Sequence, residues 1–203
     1  MKKTFWDRTA KIYDVFMHKD FKAYDRMYTL IRPAVRHKQV LELATGTGLI
    51  AKNIVGSAEH IEATDASAEM IRQAKRGVKS SKLCFSVQDM FHLPYADGSF
   101  DVVIVSNALH IVPEPEKALA EIKRVLKDDG VLIAPTFTHA GNDFFGNIKA
   151  FLMKVVGFRQ YSKWSSESYL GFLREHGWKI QKSEVLNASF PLTYVECVKG
   201  ENK

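Results

Sequence analysis

The sequence has little cysteine and no long apolar run, and each absence removes a class of protein. Its 203 residues include only two cysteines, Cys84 and Cys197, and neither has a nearby cysteine or histidine at a metal-ligand spacing. This usage argues against a disulfide-stabilised scaffold, and we expect two buried free thiols and no bound metal. Apolar runs such as residues 102–105 are far shorter than the roughly 18 residues of a membrane span.

The amino terminus lacks the apolar core of a secretory signal, since Trp6, Asp7 and Arg8 follow two lysines. We therefore expect a cytoplasmic protein. Residues 1–40 hold ten Lys or Arg against four Asp, which equals the net charge of +6 for the whole chain. Because there is no tight basic run or RNA-binding signature, we expect no nucleic-acid partner. A solvated helical face explains the charge, and contact with a membrane surface is the alternative.

Hydrophobic periodicity predicts an α/β fold. Before Pro33, apolar residues recur at helical spacing and predict one or two amphipathic helices. From Gln39 onward, short β-rich runs alternate with helical runs. The predicted strands are 40–44, 61–65, 83–89, 102–106 and 131–136, and the predicted helices are 49–55, 68–77 and 116–126, the last ended by a cap at 127–130.

Alternating strands and helices predict a parallel sheet with right-handed crossovers. The end of the chain differs, because a helix over 165–176 is closed by Gly177 and is followed by two strands, 178–185 and 189–199. The predicted fold is therefore a Rossmann-like, doubly wound, mostly parallel seven-stranded sheet with an antiparallel C-terminal hairpin.

Candidate ligand-binding residues follow the predicted strands, where open parallel sheets bind ligands. Ala44–Gly48 is a glycine-rich turn whose amide groups point outward at the start of a helix. Asp65, 17 positions after Gly48, either accepts hydrogen bonds from ribose hydroxyls or caps the next helix. Asp89 either receives an adenine amino group or is a turn aspartate.

Glu42 distinguishes between two cofactor classes. Gly46, Gly48 and Ala51 satisfy the GxGxxA pattern of a nicotinamide-cofactor site. A carboxylate within an otherwise apolar strand is costly unless it is paired, however, and the amino group of a methionine-derived cofactor would pair with it. A nicotinamide-dependent oxidoreductase and a non-catalytic cofactor-binding module are the alternatives.

Several motifs in order carry a resemblance to a known family. Residues 40–48, VLELATGTG, resemble the first motif of class I S-adenosylmethionine-dependent methyltransferases, and residues 63–70, ATDASAEM, resemble the second. Between Gln88 and Gly130 the chain is similar to the ubiquinone and menaquinone biosynthesis branch, known as methyltransferase type 11. The matching positions there are Asp89, Leu93, Pro94, Ser99 to Asp101, Asn107 to His110, Pro113 to Pro115 and Arg124 to Leu126. The family usually has glycine in place of Ala44, and we expect this alanine to keep a negative φ.

The resemblance implies an enzyme that uses S-adenosylmethionine and releases S-adenosylhomocysteine. It implies that Glu42 lies near the methionyl amino group, Asp65 at the ribose and Asp89 at the adenine amino group. The other implied cofactor contacts are Tyr13, Ala44, Thr45, Gly46, Gly48, Ala66, Met70, Met90 and Asn107. We accordingly divide one domain into a helical cap (1–38), a cofactor-binding core (39–137), an apolar lid insertion (138–164) and a C-terminal helix and hairpin (165–203).

Two features bear on the methyl acceptor. His110 follows the fourth strand and is the candidate general base, although alignment of the acceptor alone suffices for many methyl transfers. The apolar segment from Phe144 to Phe158 is either a lid over the sheet edge or a plain core helix, and as a lid it favours a small aromatic or lipid-like acceptor over a charged macromolecule. We expect a small-molecule acceptor, with the methylated atom (O, C or N) and the oligomeric state left open.

Overall fold

The computed structural model describes residues 5–10, 18–139 and 161–200. The helices are α1 (Phe5–Thr9), α2 (Phe21–Ala34), α3 (Leu49–Ile54), α4 (Ala68–Ala74), α5 (Pro115–Val125) and α6 (Ser166–Glu175), with short 3₁₀ turns at His18–Asp20 and Leu109–Ile111. The strands are β1 (Gln39–Leu43), β2 (His60–Asp65), β3 (Leu83–Val87), β4 (Phe100–Val105), β5 (Leu126–Ile133), β6 (Thr136–Phe137), β7 (Trp178–Leu186) and β8 (Leu192–Lys199). Within these ranges, no helix has the length and apolar character needed to cross a membrane.

The described strands form one sheet in the order β3-β2-β1-β4-β5-β8-β6, with β7 paired to β8. Strands β1 to β5 are parallel, whereas β8 is antiparallel to β5, β6 and β7. This confirms the predicted doubly wound sheet and its C-terminal hairpin, and the two-residue β6 brings the strands to eight. The strand order reverses between β1 and β4, so a crevice opens at their carboxyl ends.

Two hydrophobic layers cover the central strands. Alternate residues of β1 face opposite layers: Val40 packs with α2 and α3, and Leu41 packs with α5 and α6. Burial on both faces explains why the central strands read as nearly continuous apolar runs. It also explains why a charged residue in such a strand is conspicuous in the sequence.

The N-terminal helix α2 packs against the C-terminal hairpin. Asp20 accepts hydrogen bonds from the backbone N–H of Ser189 at 2.6 Å and from its hydroxyl at 2.8 Å. Arg26 forms a bidentate ion pair with Glu184. The predicted helix before Pro33 is confirmed, and α2 includes this proline in its last turn. These polar contacts fix the helix over the sheet.

The predicted end of α5 is wrong. We expected a C-terminal cap at Lys127–Gly130, but α5 ends at Val125 and the chain turns directly into β5 at Leu126, whose ψ is 137°. A Cβ atom at Gly130 would lie 2.7 Å from the Leu126 side chain, so this glycine serves close packing within a strand. By contrast, the predicted helix closed by Gly177 is confirmed, with Gly177 at φ +76°, and the structure adds a capping box at Ser165.

The expectation of two buried thiols holds for only one cysteine. Cys197 is buried in β8, whereas Cys84 is exposed on β3. Leu83 and Phe85 point into the core, so the side chain of Cys84 lies on the opposite face of the sheet. An alternating strand buries one face only, and the sequence does not reveal whether the second face is covered.

The connection from β3 to β4 contains no helix over the described residues 88–99. Arg124 of α5 holds it in place by donating to the carbonyls of Tyr95 at 2.7 Å and Leu93 at 3.1 Å. The same guanidinium pairs with Glu121 and Asp97, which raise the pKa of Arg124. This connection therefore runs across the sheet edge as an ordered loop.

Tyr169 provides a test of how α6 is held to the sheet. Its hydroxyl is fully buried and donates to the Ala134 carbonyl at 2.6 Å. Tyr169→Phe removes the donor and leaves a buried carbonyl unpaired, so we expect the free energy of unfolding to fall by about 1–2 kcal/mol in urea denaturation. Tyr161→Phe, at a half-exposed tyrosine, should change it by less than about 0.5 kcal/mol. Equal effects of both substitutions would contradict this assignment.

Candidate cofactor and active site

A cavity of about 180 Å³ lies at the carboxyl ends of the four strands β1 to β4. Eight of the residues predicted to bind the cofactor line it: Ala44, Gly46, Asp65, Ala66, Met70, Asp89, Met90 and Asn107. Glu42, Thr45, Gly48 and His110 do not reach its wall, and Tyr13 and the apolar segment 144–158 lie outside the described residues. Most of the residues predicted from their positions after the strands therefore line one cavity.

The turn after β1 uses the left-handed backbone region three times. Ala44, Gly46 and Gly48 have φ values of +50°, +58° and +78°. A Cβ atom at Gly48 would lie 2.7 Å from the ring of Phe85, so glycine is required there for space as well as conformation. The turn lets the backbone of Gly46 approach the cavity closely.

The expectation that Ala44 keeps a negative φ is wrong. An L-residue with a Cβ atom costs roughly 1–2 kcal/mol in the left-handed region. The neighbouring contacts hold this conformation: the Thr45 N–H donates to the Thr64 carbonyl at 2.8 Å, and the Gly48 N–H donates to the Thr45 carbonyl at 3.0 Å. The backbone follows the turn that glycine would adopt, and alanine is accommodated with strain.

Asp65 connects two segments of the cavity wall. One carboxylate oxygen accepts the Gly46 N–H at 2.9 Å, and the other accepts the Ser67 N–H at 2.8 Å. The alternative cap function belongs to Ser67, whose hydroxyl accepts the Met70 N–H at 3.1 Å. Burial raises the pKa of Asp65, while these two N–H donors act in the opposite direction.

Helix α1 reaches this site from the N-terminus. The Ser67 hydroxyl donates to the carboxylate of Asp7 at 2.6 Å, and Trp6 lines the cavity. The sequence did not predict these contacts, since Trp6 and Asp7 served there only as evidence against a signal peptide. Because 60 positions separate Asp7 from Ser67, local pattern could not pair them.

Glu42 is buried beneath the turn, with 2% of its surface exposed. Burial is the main cause that raises the pKa of Glu42 to about 8; the nearby Thr45 hydroxyl and Ala51 N–H act in the opposite direction, and the Asp65 charge adds to the rise. Among the residues that the structure describes, the Oε2 atom of Glu42 has no partner within hydrogen-bond geometry, and neither do the hydroxyls of Thr45 and Ser106, which follow β1 and β4. Orphaned buried polar atoms are rare, so this group fits a ligand with N–H donors. The amino-acid portion of S-adenosylmethionine has that chemistry.

Asp89 and the two methionines form the far side of the cavity. One oxygen of Asp89 accepts the Phe91 N–H at 3.0 Å, which is the turn-aspartate arrangement, and the side chain also lines the cavity. Met70 is buried and Met90 is partly buried. Apolar side chains on this wall suit a flat heteroaromatic ring.

Asn107 is positioned by contacts on both sides. Its backbone lies at φ +52°, a conformation that asparagine tolerates better than most residues. Its amide nitrogen donates to the Tyr24 hydroxyl at 3.0 Å, and its amide oxygen accepts the Phe137 N–H at 3.0 Å. Helix α2 and strand β6 therefore fix the turn after β4.

His110 lies behind the cavity wall. Its ring is buried, and Nδ1 is 2.8 Å from the Thr136 hydroxyl. Burial, with a contribution from His139, lowers the pKa of His110 to about 4, so the imidazole is neutral near pH 7. Its function as a general base stays a prediction.

Comparison with known proteins identifies relatives of this chain. Residues 41–134 match the family described as Methyltransferase domain. The demethylmenaquinone methyltransferase of Thermotoga maritima is 31% identical over 97% of this chain and 85% of its own length. The ubiquinone/menaquinone biosynthesis C-methyltransferase of Bdellovibrio bacteriovorus is 32% identical over 77% of this chain and 76% of its own length. With some other relatives the match is shorter, covering 44% of the Renibacterium salmoninarum demethylmenaquinone methyltransferase.

Solved structures share the fold. A SAM-dependent methyltransferase from Aquifex aeolicus superposes with a TM-score of 0.71 at 17% identity, covering 95% of this chain and 98% of its own. The DhpI–SAH complex superposes with a TM-score of 0.73 at 22% identity, covering 97% of this chain and 94% of its own. At these identities the similarity concerns the fold alone.

Ala44 provides a test of the strained turn. Replacing it with glycine removes the cost of the left-handed conformation, so we expect Ala44→Gly to raise the free energy of unfolding by about 1 kcal/mol. The matched control is Ala120→Gly on the exposed face of α5, where the same change should lower it by about 1 kcal/mol. Urea denaturation measures both, and effects of the same sign would contradict the strain.

Proposed function

This chain belongs to the class I S-adenosylmethionine-dependent methyltransferases, in the branch of the demethylmenaquinone methyltransferases, and we propose that it methylates a ring carbon of a small, apolar, quinone-type acceptor. It is an enzyme, and its cofactor is S-adenosylmethionine. The proposal for the acceptor depends on the similarity to the Thermotoga maritima relative, which extends over 97% of this chain. The apolar wall of the cavity agrees with it.

The proposed binding mode starts from Glu42. Its buried carboxylate, with one oxygen that has no partner among the described residues, would hold the methionyl ammonium, and the Thr45 and Ser106 hydroxyls are further partners for that end of the molecule. Asp65 would bind the ribose, since each carboxylate oxygen that accepts one N–H retains a second lone pair. Met70 and Met90 would contact the adenine ring, with Asp89 at its amino group.

S-adenosylmethionine supplies an activated methyl group on a sulfonium, so the protein contributes alignment and exclusion of water. Ile111 and Val112 follow β4 and line the cavity together with Phe91. An apolar wall at this position would orient a hydrophobic ring and keep water from the methyl group. A quinone ring is electron-poor, and only its reduced, hydroquinone form is a carbon nucleophile. We therefore propose the reduced acceptor as substrate.

Glu42 makes cofactor binding release a proton. With a pKa of about 8, the carboxyl is mostly protonated near pH 7 and must ionise to pair with the ammonium. Calorimetric titration with S-adenosylhomocysteine in buffers of different ionisation enthalpy should show release of about one proton per ligand. Glu42→Gln should abolish this release and weaken binding about tenfold or more.

A ligand without the amino-acid portion supplies the control. We expect 5′-methylthioadenosine to bind Glu42→Gln and the unmodified protein equally, with no proton release, and NADH to bind neither. Proton release that persists in Glu42→Gln would contradict the assignment.

The raised pKa of Glu42 also predicts how stability depends on pH. The folded protein retains a proton that the unfolded chain loses above its ordinary carboxyl pKa of about 4.3. Without ligand, the free energy of unfolding should therefore fall between about pH 5 and pH 8 through this group. Glu42→Gln should remove that contribution in denaturation measured across the range, and an unchanged pH dependence would contradict it.

The acceptor is tested with reduced demethylmenaquinone and S-adenosylmethionine. We expect a product with one added methyl group on a ring carbon, located by mass spectrometry and NMR. Val112→Asp should raise the KM for the acceptor about tenfold or more, because an ionised carboxylate would replace apolar surface, while the affinity for S-adenosylhomocysteine stays unchanged.

Val185→Asp is the matched control, since this valine is more than half exposed on β7. It should leave the KM unchanged. Methylation on oxygen, or no turnover by protein that binds the cofactor normally, would contradict the proposed acceptor.

A further inference from the structure

Three side chains with metal-binding atoms lie together on the sheet face away from α2, α3 and α4. His60 and Glu62 are two positions apart on β2, so they point to the same face. Cys84 lies opposite Glu62 in the parallel register of β2 and β3. Their core-facing neighbours Ile61 and Phe85 are buried, which fixes the opposite direction for the three polar side chains.

The spacing of these atoms is close to that of a metal site. One ligand atom from each side chain, an imidazole nitrogen, a carboxylate oxygen and the Cys84 sulfur, lies within 4.8 Å of the other two. His60 Nε2 is already 3.0 Å from Glu62 Oε1. Ligand atoms around tetrahedral Zn²⁺ are about 3.5 Å apart. Side-chain rotations that move these atoms by about 1 Å would therefore bring all three to the distance of Zn²⁺ ligands.

The site is open to solvent because of how β3 is connected to β4. The described connection has no helix to cover this end of the sheet, and its Tyr95 phenol lies beside the site. Burial raises the pKa of Tyr95, and the nearby Glu62 and Cys84 add to the rise. Cys84 is exposed, and the side chains of His60 and Glu62 are 30% and 27% exposed. An ion can therefore reach all three without unfolding of the sheet.

We propose that His60, Glu62 and Cys84 form a binding site for Zn²⁺, with water as the fourth ligand. A thiolate and an imidazole favour a borderline ion such as Zn²⁺ over Mg²⁺ or Ca²⁺, which prefer oxygen ligands. The ion would join β2 to the edge strand β3. The site lies on side chains other than those that line the cofactor cavity, so it is separate from the proposed function.

Tag-free protein titrated with Zn²⁺ alone under a non-thiol reductant tests the site. We expect one Zn²⁺ per chain with a micromolar or tighter Kd, and a rise in Tm with added Zn²⁺. Co²⁺ in place of Zn²⁺ should give intense tetrahedral absorption and a thiolate charge-transfer band. Cys84→Ser and His60→Gln should each weaken Zn²⁺ binding by tenfold or more, about 1.4 kcal/mol, and Cys84→Ser should abolish the charge-transfer band.

His176→Gln is the matched control, because this exposed histidine is the C-cap residue that follows α6 and its ring contacts the Phe172 carbonyl. It should leave Zn²⁺ affinity unchanged. Unchanged affinity for S-adenosylhomocysteine shows that each variant is folded. A charge-transfer band that persists in Cys84→Ser, or an equal loss of affinity in His176→Gln, would overturn the site and indicate adventitious binding only.

Discussion

The carboxylate of Asp65 holds together the parts of the chain that surround the cavity. Its two oxygens accept N–H groups from the turn after β1 and from the start of α4, and Ser67 in turn contacts Asp7 of α1. The turn after β1 and the start of α4 are therefore joined by Asp65 itself, and α1 is joined to them through Ser67. The two hydrogen bonds of Asp65 fix the positive-φ turn against the residue that caps α4, and that residue also contacts α1.

Glu42, unlike Asp65, is a cost to the stability of the folded protein without ligand. Asp65 accepts hydrogen bonds from backbone donors, whereas Glu42 is buried with a raised pKa and with one oxygen that no described residue contacts by a hydrogen bond. The strain at Ala44 lies two residues further along the same segment. A folded state that carries both costs at one place is typical of a binding site that is completed by its ligand.

The sequence predicts the sheet well because its central strands are apolar on both faces and are separated by turns with glycine or aspartate. The predictions from sequence fail where the local preference of a residue conflicts with its tertiary contacts. Lys127–Gly130 has the composition of a helix cap, yet pairing of β5 with β4 draws these residues into a strand. Ala44 adopts the conformation that the turn imposes, against its own preference. Trp6 and Asp7 carry no periodic signal, and the exposure of Cys84 depends on a connection whose path the sequence does not specify.

The contacts of α2 with the C-terminal hairpin have a consequence for how the molecule is made. Arg26 pairs with a residue 158 positions later, and Asp20 with one 169 positions later. During synthesis the parallel strands β1 to β5 are made before this hairpin, so Asp20 and Arg26 lack these two partners until the hairpin follows. Contacts of such high sequence separation form late. The contacts of Asp20 and Arg26 with the hairpin therefore form only after residue 189 has been synthesised, whereas the packing of α2 against β1 and α3 requires only residues made earlier.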